Sequence, residues 1–354
     1  MSEKIRVLVV DDSSMVRSLL RRRFAREADI EVVGEAGDPY EARDRIAELR
    51  PDVLTLDVAM PRMDGLTFLE RLMQALPLPV VVLSSLTPRC SENAARALSL
   101  GAVDVIAKPQ SSAEVESFLD AVVSALRVAK SVRLQRPRAQ ATPVKVSASE
   151  GGSAKARLVA IGASTGGPQA LETIVSSLGP STPPMVAVLH MPAAFTRAYA
   201  ERLDRLSSLQ IREAREGDRL QAGTLLIAPG DRHCQVRASG AQLLIALDDG
   251  PKVNLHRPSI DVLLLSVAAV VGSEAMGILL TGMGSDGALG LLEMRRRGAE
   301  TLVQDEATSL VYGIPRSALE MGAAQRSLPL ESIARAIVHP SAKLRRSLPH
   351  QKSP

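Results

Sequence analysis

The chain has 354 residues, 45% hydrophobic and 23% charged, with a formal net charge of +4. That length suits two domains, each with its own core, and the balance excludes a disordered chain. Aromatic residues make up only 2% and Trp is absent, which argues against binding single-stranded nucleic acid by base stacking; the modest charge makes no case for DNA. No apolar run reaches about 18 residues and no basic–apolar leader opens the chain, so a cytoplasmic protein without membrane insertion is expected. The only cysteines, Cys90 and Cys234, fall in different halves and read as reduced, buried thiols.

From residue 1 to about 128, strand candidates Ile5–Val10, Glu31–Ala36, Val53–Asp57, Pro79–Ser84 and Val103–Ala107 alternate with helical patterns. In the first helix Met15, Val16, Leu19, Leu20 and Phe24 share a face. Five β-α units predict a parallel sheet covered on both sides, with ligands beyond the carboxyl ends of its strands. Those ends carry Asp11 and Asp12, Asp57, Ser84 and Ser85, and Lys108. Three converging carboxylates repel unless a cation sits among them, and oxygen ligands with open positions suit Mg²⁺. A lysine and a hydroxyl beside them could hold a phosphoryl group. Asp57, alone opposite the Asp11/Asp12 pair, is the best phosphoacceptor.

This stretch resembles the receiver domain of bacterial response regulators. The matching residues are Asp11-Asp12, Asp57 within D-x-x-M-P-x-M-D-G, Ser84 and Lys108-Pro109. The resemblance implies phosphorylation of Asp57 by a partner histidine kinase with Mg²⁺. The ion is expected on Asp12 and Asp57, with Asp11 behind them. Val105 replaces the aromatic residue common at the switch position of that family, so a ring-rotation account of signalling does not carry over.

From Ala129 to Ala156 apolar periodicity is lost, and Lys130, Arg133, Arg136, Arg138, Lys145 and Lys155 face a single acid, Glu150. This reads as a basic tether. The Arg21-Arg22-Arg23 run reads as a solvated helix face.

The second half is organised around Arg157–Leu178. Leu158–Ile161 reads as a buried strand, Gly162–Gly167 as a tight turn, and Pro168 as the first residue of a helix. Ala170, Leu171, Ile174, Val175 and Leu178 follow at helical spacing. Gly162-x-Ser164-x-Gly166 matches the nucleophile-elbow pattern. Such a turn exposes the hydroxyl while the helix N-terminus aims free N–H groups at a developing oxyanion. The spelling alone leaves a plain glycine-rich turn or a phosphate loop open, although neither common nucleotide fingerprint is present.

Met185–His190 reads as a strand, Ala193–Leu206 as a helix, Gly217–Leu247 as antiparallel hairpins, Ser259–Val271 as a buried helix and Ala275–Thr281 as a strand. Asp286 then opens a helix running to about Arg297, whose dipole would keep it ionised. Ala299–Gln304 is a further strand and Ser309–Met321 a further helix. The expected fold is a doubly wound, mostly parallel α/β domain with a hairpin insertion. Ser164, His190 and Asp286 each lie just past the carboxyl end of a strand, and such ends share one edge. That placement suits a nucleophile, a base and an orienting carboxylate within hydrogen-bonding reach. The chain order Ser, His, Asp differs from that of α/β-hydrolases. His256 is a candidate for lining the cleft; His233 follows a hairpin turn, and His339 and His350 lie in or near the basic tail.

The stretches I-G-A-S-T-G-G-P, H-M-P, A-P-G-D-R-H, V-N-L-H-R-P-S-I-D-V-L, L-T-G-M-G-S-D-G-A and Q-D-E-A-T-S-L-V-Y-G-I-P resemble the catalytic domain of chemotaxis protein-glutamate methylesterases, which also deamidate glutamine (the CheB family). The resemblance implies a catalytic Ser164, His190 and Asp286, and substrates on methyl-accepting chemotaxis receptors. It also implies shielding of the catalytic edge by the unphosphorylated receiver. Oxyanion donors are expected at the amides of Thr165 and Met283, and no cofactor is expected for ester hydrolysis. The expected organisation is a receiver at 1–128, a tether at 129–156, the catalytic domain at 157–339 and a basic tail at 340–354. A DNA-binding output is the alternative, but no helix-turn-helix pattern is present.

Overall fold

The computed structural model describes residues 4–60, 62–85, 88–132 and 156–339, except for the side chains of 88–91. Most of the expected tether, the basic tail and the Cys90 side chain lie outside the described residues.

The N-terminal unit runs β1 (Ile5–Val10), α1 (Ser14–Phe24), β2 (Ile30–Ala36), α2 (Pro39–Leu49), β3 (Val53–Asp57), α3 (Gly65–Ala75), β4 (Val80–Ser84), α4 (Pro88–Ser99), β5 (Asp104–Ala107) and α5 (Val115–Ser131). Its sheet has the order β2-β1-β3-β4-β5, with every pair parallel. β3 and β4 are buried along their whole length, which is why they read as continuous rather than alternating apolar runs. The order reverses between β1 and β3, and a ligand crevice opens at such a switch point. Asp11 follows β1 there and Asp57 ends β3. Helix α5 extends to Ser131, into the stretch read as tether, because Ala129 is fully buried in the core.

The C-terminal unit runs β6 (Leu158–Ala163), α6 (Gly167–Val175), β7 (Met185–Leu189), α7 (Ala193–Leu206), β8 (Gln210–Glu213), β9 (Thr224–Ile227), β10 (His233–Ser239), β11 (Gln242–Asp248), α8 (Ile260–Val270), β12 (Ala275–Leu279), α9 (Ala288–Arg296), β13 (Glu300–Gln304), α10 (Ile314–Glu320), β14 (Arg326–Leu328) and α11 (Leu330–Val338). Seven strands form a parallel sheet ordered β14-β13-β12-β6-β7-β9-β8. Among the described residues, β10 and β11 form the antiparallel hairpin. Thr224–Ile227, read from sequence as part of hairpins, instead joins the main sheet beside β7. Helix α10 starts at Ile314 rather than Ser309. The Asp305 carboxylate takes the Thr308 N–H and hydroxyl, which holds the preceding residues in a turn.

The two units share an interface. Helix α4 lies across α6 and α7. Apolar side chains of both units form one continuous cluster that includes Leu98, Val105, Met191 and Phe195. The Ser99 hydroxyl donates to Glu172 and accepts from Arg202 Nε at 2.9 Å. Gln169 Nε2 donates to the Ala102 carbonyl at 2.9 Å.

Candidate active site and phosphoacceptor site

The turn after β6 is built by glycine. Gly166 caps α6 with φ +78°, and a β-carbon there would lie 2.7 Å from Leu310 Cβ, so a side chain is excluded twice over. Pro168 is therefore the second helical residue, not the first. The Ser164 N–H donates to the Thr281 carbonyl at 3.1 Å. The chain after β12 then passes so close that a β-carbon on Gly282 would sit 2.7 Å from Ser164 Cβ. This contact sets Met283 beside the serine. Among the described residues, the main-chain N–H groups of Thr165 and Met283 donate to nothing else in the protein.

His190 follows β7, whose register against β6 places it alongside the serine turn. Its Nε2 lies 2.9 Å from Asp286 Oδ2. A carboxylate only accepts, so Nε2 carries a proton, and in the neutral ring Nδ1 presents a lone pair. Nδ1 is buried and has no hydrogen-bond partner. The His256 ring stacks on the His190 ring, with centroids 3.6 Å apart and planes 9° from parallel.

Asp286 is held differently from the sequence expectation. It lies ahead of α9, but the N–H groups it takes belong to α8. Its Oδ2 accepts from Ile260 N at 2.7 Å. Its Oδ1 accepts from Ser259 Oγ at 2.8 Å, Asn254 Nδ2 at 2.8 Å and Asp261 N at 3.2 Å. Burial works against the charge, but His190 and these donors outweigh it and hold the carboxyl far below its ordinary range.

Ser164 and His190 line one cavity, closed on the far side by Leu98, Val103, Asp104 and Val105 of the N-terminal unit. Its volume is about 40 Å³, room for about three waters. A glutamyl ester side chain does not fit there while the two units are docked. The Ser164 hydroxyl is not hydrogen-bonded to His190, so only the histidine–aspartate leg of the expected array is closed. Catalytic contacts of this kind are often long in substrate-free enzymes.

At the other site, carboxylate oxygens of Asp11, Asp12 and Asp57 lie within 4.8 Å of one another. Lys108 Nζ is 2.8 Å from both Asp11 Oδ2 and Asp57 Oδ2. Burial disfavours the lysine charge, yet Asp57 and Asp11 outweigh it and raise its pKa. Burial also raises Asp11, with Lys108 pulling the other way. Ser84 is buried at the end of β4. Asp11, Asp12, Asp57 and Lys108 therefore come together at the switch point. The hard, all-oxygen donor set fits a small divalent cation.

Residues 159–337 match the CheB methylesterase family, and residues 7–120 match the response regulator receiver domain family. A protein-glutamate methylesterase/protein-glutamine glutaminase of Syntrophus aciditrophicus is 46% identical over 95% of this chain and 98% of its own. One from Pseudomonas aeruginosa is 48% identical over 96% of this chain and 97% of its own. The chain belongs to the CheB methylesterase family. The crystal structure of the Thermotoga maritima CheB methylesterase catalytic domain superposes with a TM-score of 0.51 at 36% identity. It covers 52% of this chain and 98% of that one.

Beyond the residues expected from sequence, the CheB site uses Asn254, Ser259 and the first N–H groups of α8. Ser259 directly before Ile260 and the apolar run Val262–Leu265 is a legible helix start. Its hydroxyl goes to Asp286 rather than capping its own helix. His233 is structural: it is buried, with Nε2 2.9 Å from the Pro251 carbonyl and Nδ1 accepting from Ser259 N.

Proposed function

We propose that this chain hydrolyses glutamate γ-methyl esters, and deamidates glutamines, on methyl-accepting chemotaxis receptors, with Ser164, His190 and Asp286 as the catalytic residues. The buried, unpartnered Nδ1 of His190, a residue that lines one cavity with Ser164, carries this reading. Nδ1 takes the hydroxyl proton as Ser164 Oγ attacks the ester carbonyl. Thr165 and Met283 donate their free amides to the oxyanion, each on the order of 10²–10³ in rate. The proton then passes to the leaving oxygen and methanol departs. Water, deprotonated by the same nitrogen, cleaves the acyl-enzyme to glutamate. A glutamine amide passes through the same acyl-enzyme and releases ammonia. Asp286 keeps the imidazole in the tautomer that leaves Nδ1 free and balances its positive charge.

The N-terminal unit is a receiver phosphorylated on Asp57 by a chemotaxis histidine kinase. Asp12 and Asp57 would hold Mg²⁺, with Asp11 behind them and Lys108 and Ser84 facing the phosphoryl group. Bound there, the ion would offset the charge on the phosphoryl oxygens. Phosphorylation undocks α4 and β5 from the serine edge and admits substrate. The reading assigns 1–128 to the receiver, with α5 carrying it to 131. A tether to 156, the esterase domain at 157–339 and a basic tail follow. No helix of the described residues is long and apolar enough to cross a membrane, and a cytoplasmic location fits the receptor region it would act on.

Ser164→Ala should abolish methanol release from methylated receptor and ammonia release from the unmodified receptor together. Survival of either activity would remove the single-site reading.

A further inference from the structure

We propose that Asn254 is a positioning residue for the esterase reaction: its one amide group holds the Asp286 carboxylate in place and seats His256 on the face of His190. This rests on the reading of Ser164, His190 and Asp286 as the catalytic array.

Asn254 Nδ2 lies 2.8 Å from Asp286 Oδ1 and 2.7 Å from Asp261 Oδ2. A side-chain amide nitrogen has two hydrogens, one for each of these carboxylates. Asp261 is itself fixed, because its Oδ1 takes the Gly290 N–H at 2.7 Å. Burial raises its pKa, and the nearby Asp286 charge raises it further. The amide therefore sits between two buried acids that repel one another, and it anchors the catalytic one to a rigid neighbour.

The backbone around Asn254 explains its second effect. Asn254 and Leu255 are consecutive left-handed residues, at φ +52° and +69°. Val253 and His256 close the turn with paired main-chain bonds of 3.0 and 2.9 Å. Two consecutive positive φ angles define a type I′ turn, in which asparagine is favoured and leucine is not. Leu255 is 87% exposed, so packing of its own side chain does not hold the strained conformation. The Asn254 amide, bonded inward, ties the turn to Asp286 and Asp261. His256 is the next residue out of it and lies flat on His190.

His256 is pushed down to about 4, by burial first and then by the His190 charge. It therefore stays neutral while His190 gains and loses its proton. The other charged or titratable groups around this stack are Asp286, Lys252 at the turn and Asp104 across the cavity. Loss of the Asn254 donor leaves the Asp286 charge less shared, and His190 feels more of it.

The test uses the full chain with an acyl-phosphate phosphodonor and methylated receptor. Two variants keep a residue that tolerates the left-handed turn: Asn254→Gly removes the amide, and Asn254→Asp replaces the donor by a third acid. Asn254→Gly should lower kcat at least tenfold with KM within twofold. It should also move the acid limb of the kcat/KM profile to higher pH, and Asn254→Asp should move it further. A merely structural role would reduce the folded fraction and leave the limb in place. An unmoved limb in both variants, or a kcat within twofold of wild type in Asn254→Gly, overturns the proposal. Ser164→Ala, assayed alongside, separates the two levels: if it is inactive while the Asn254 variants behave as wild type, only this inference fails.

Discussion

Asp286→Asn changes one atom, and the consequences can be worked out at each oxygen. Oδ1 accepts from Asn254, Ser259 and Asp261, whereas Oδ2 accepts from Ile260 N and His190 Nε2. The new NH₂ loses least at the Oδ2 position, where it opposes one main-chain N–H instead of three donors. One buried donor facing another costs about 1–3 kcal/mol, which a domain of this size survives. The kinetic effect is larger. An NH₂ at that position makes His190 accept through Nε2, so the ring proton moves to Nδ1, the nitrogen proposed to take the serine proton. The corresponding wrong-tautomer substitution in the serine-protease triad costs about 10⁴ in kcat. The same loss, with near-wild-type KM, is expected here in methanol release from methylated receptor with phosphodonor present. A variant within tenfold of wild type, and folded by thermal denaturation, would refute both the tautomer and the role of Nδ1 as the base.

Three further outcomes follow from the interface and the receiver. Asp57→Asn should leave methanol release indifferent to phosphodonor; an undiminished response would place the phosphoacceptor elsewhere. Arg202→Ala removes the Nε bond to Ser99 across the interface, about 1 kcal/mol, and should raise the rate of the unphosphorylated chain about fivefold. An unchanged rate would mean that this contact does not hold the domains together. Asp104, raised by burial to about 6 from an ordinary 3.8, favours docking when protonated. Docking should therefore weaken as pH rises from about 4 to about 6. Asp104→Asn should lower the unphosphorylated rate at pH 7.5, and a higher rate there would reverse the sign of that argument.

The receiver sheet was almost fully legible, because its strands are short apolar runs with polar residues at their carboxyl ends. Val53–Asp57 carries both signals, and its bounds match the observed strand. The serine turn was legible for the same reason. The edge strands β8 and β14 were not, since four and three residues show too little pattern. Helix α11 has Ile333, Ala334, Ile337 and Val338 buried at helical spacing, a signal the sequence did contain. The environment of Asp286 was beyond local pattern. Apart from His190, its donors lie 25–32 residues away and meet it only when α8 packs on the sheet. Asn254 likewise looks like an ordinary turn residue until both carboxylates are in place. Val105 departs from the usual aromatic switch, and the fold gives that position another use, as part of the wall over Ser164.

The central claim is that Ser164 and His190 work as one unit on the ester. It is tested most directly by the methanol-release rate of the Ser164→Ala/His190→Ala double variant against each single variant, with phosphodonor saturating. Groups that act together are lost together, so the double variant should be no slower than either single one. Losses that multiply would contradict the account, because each residue would then be contributing on its own.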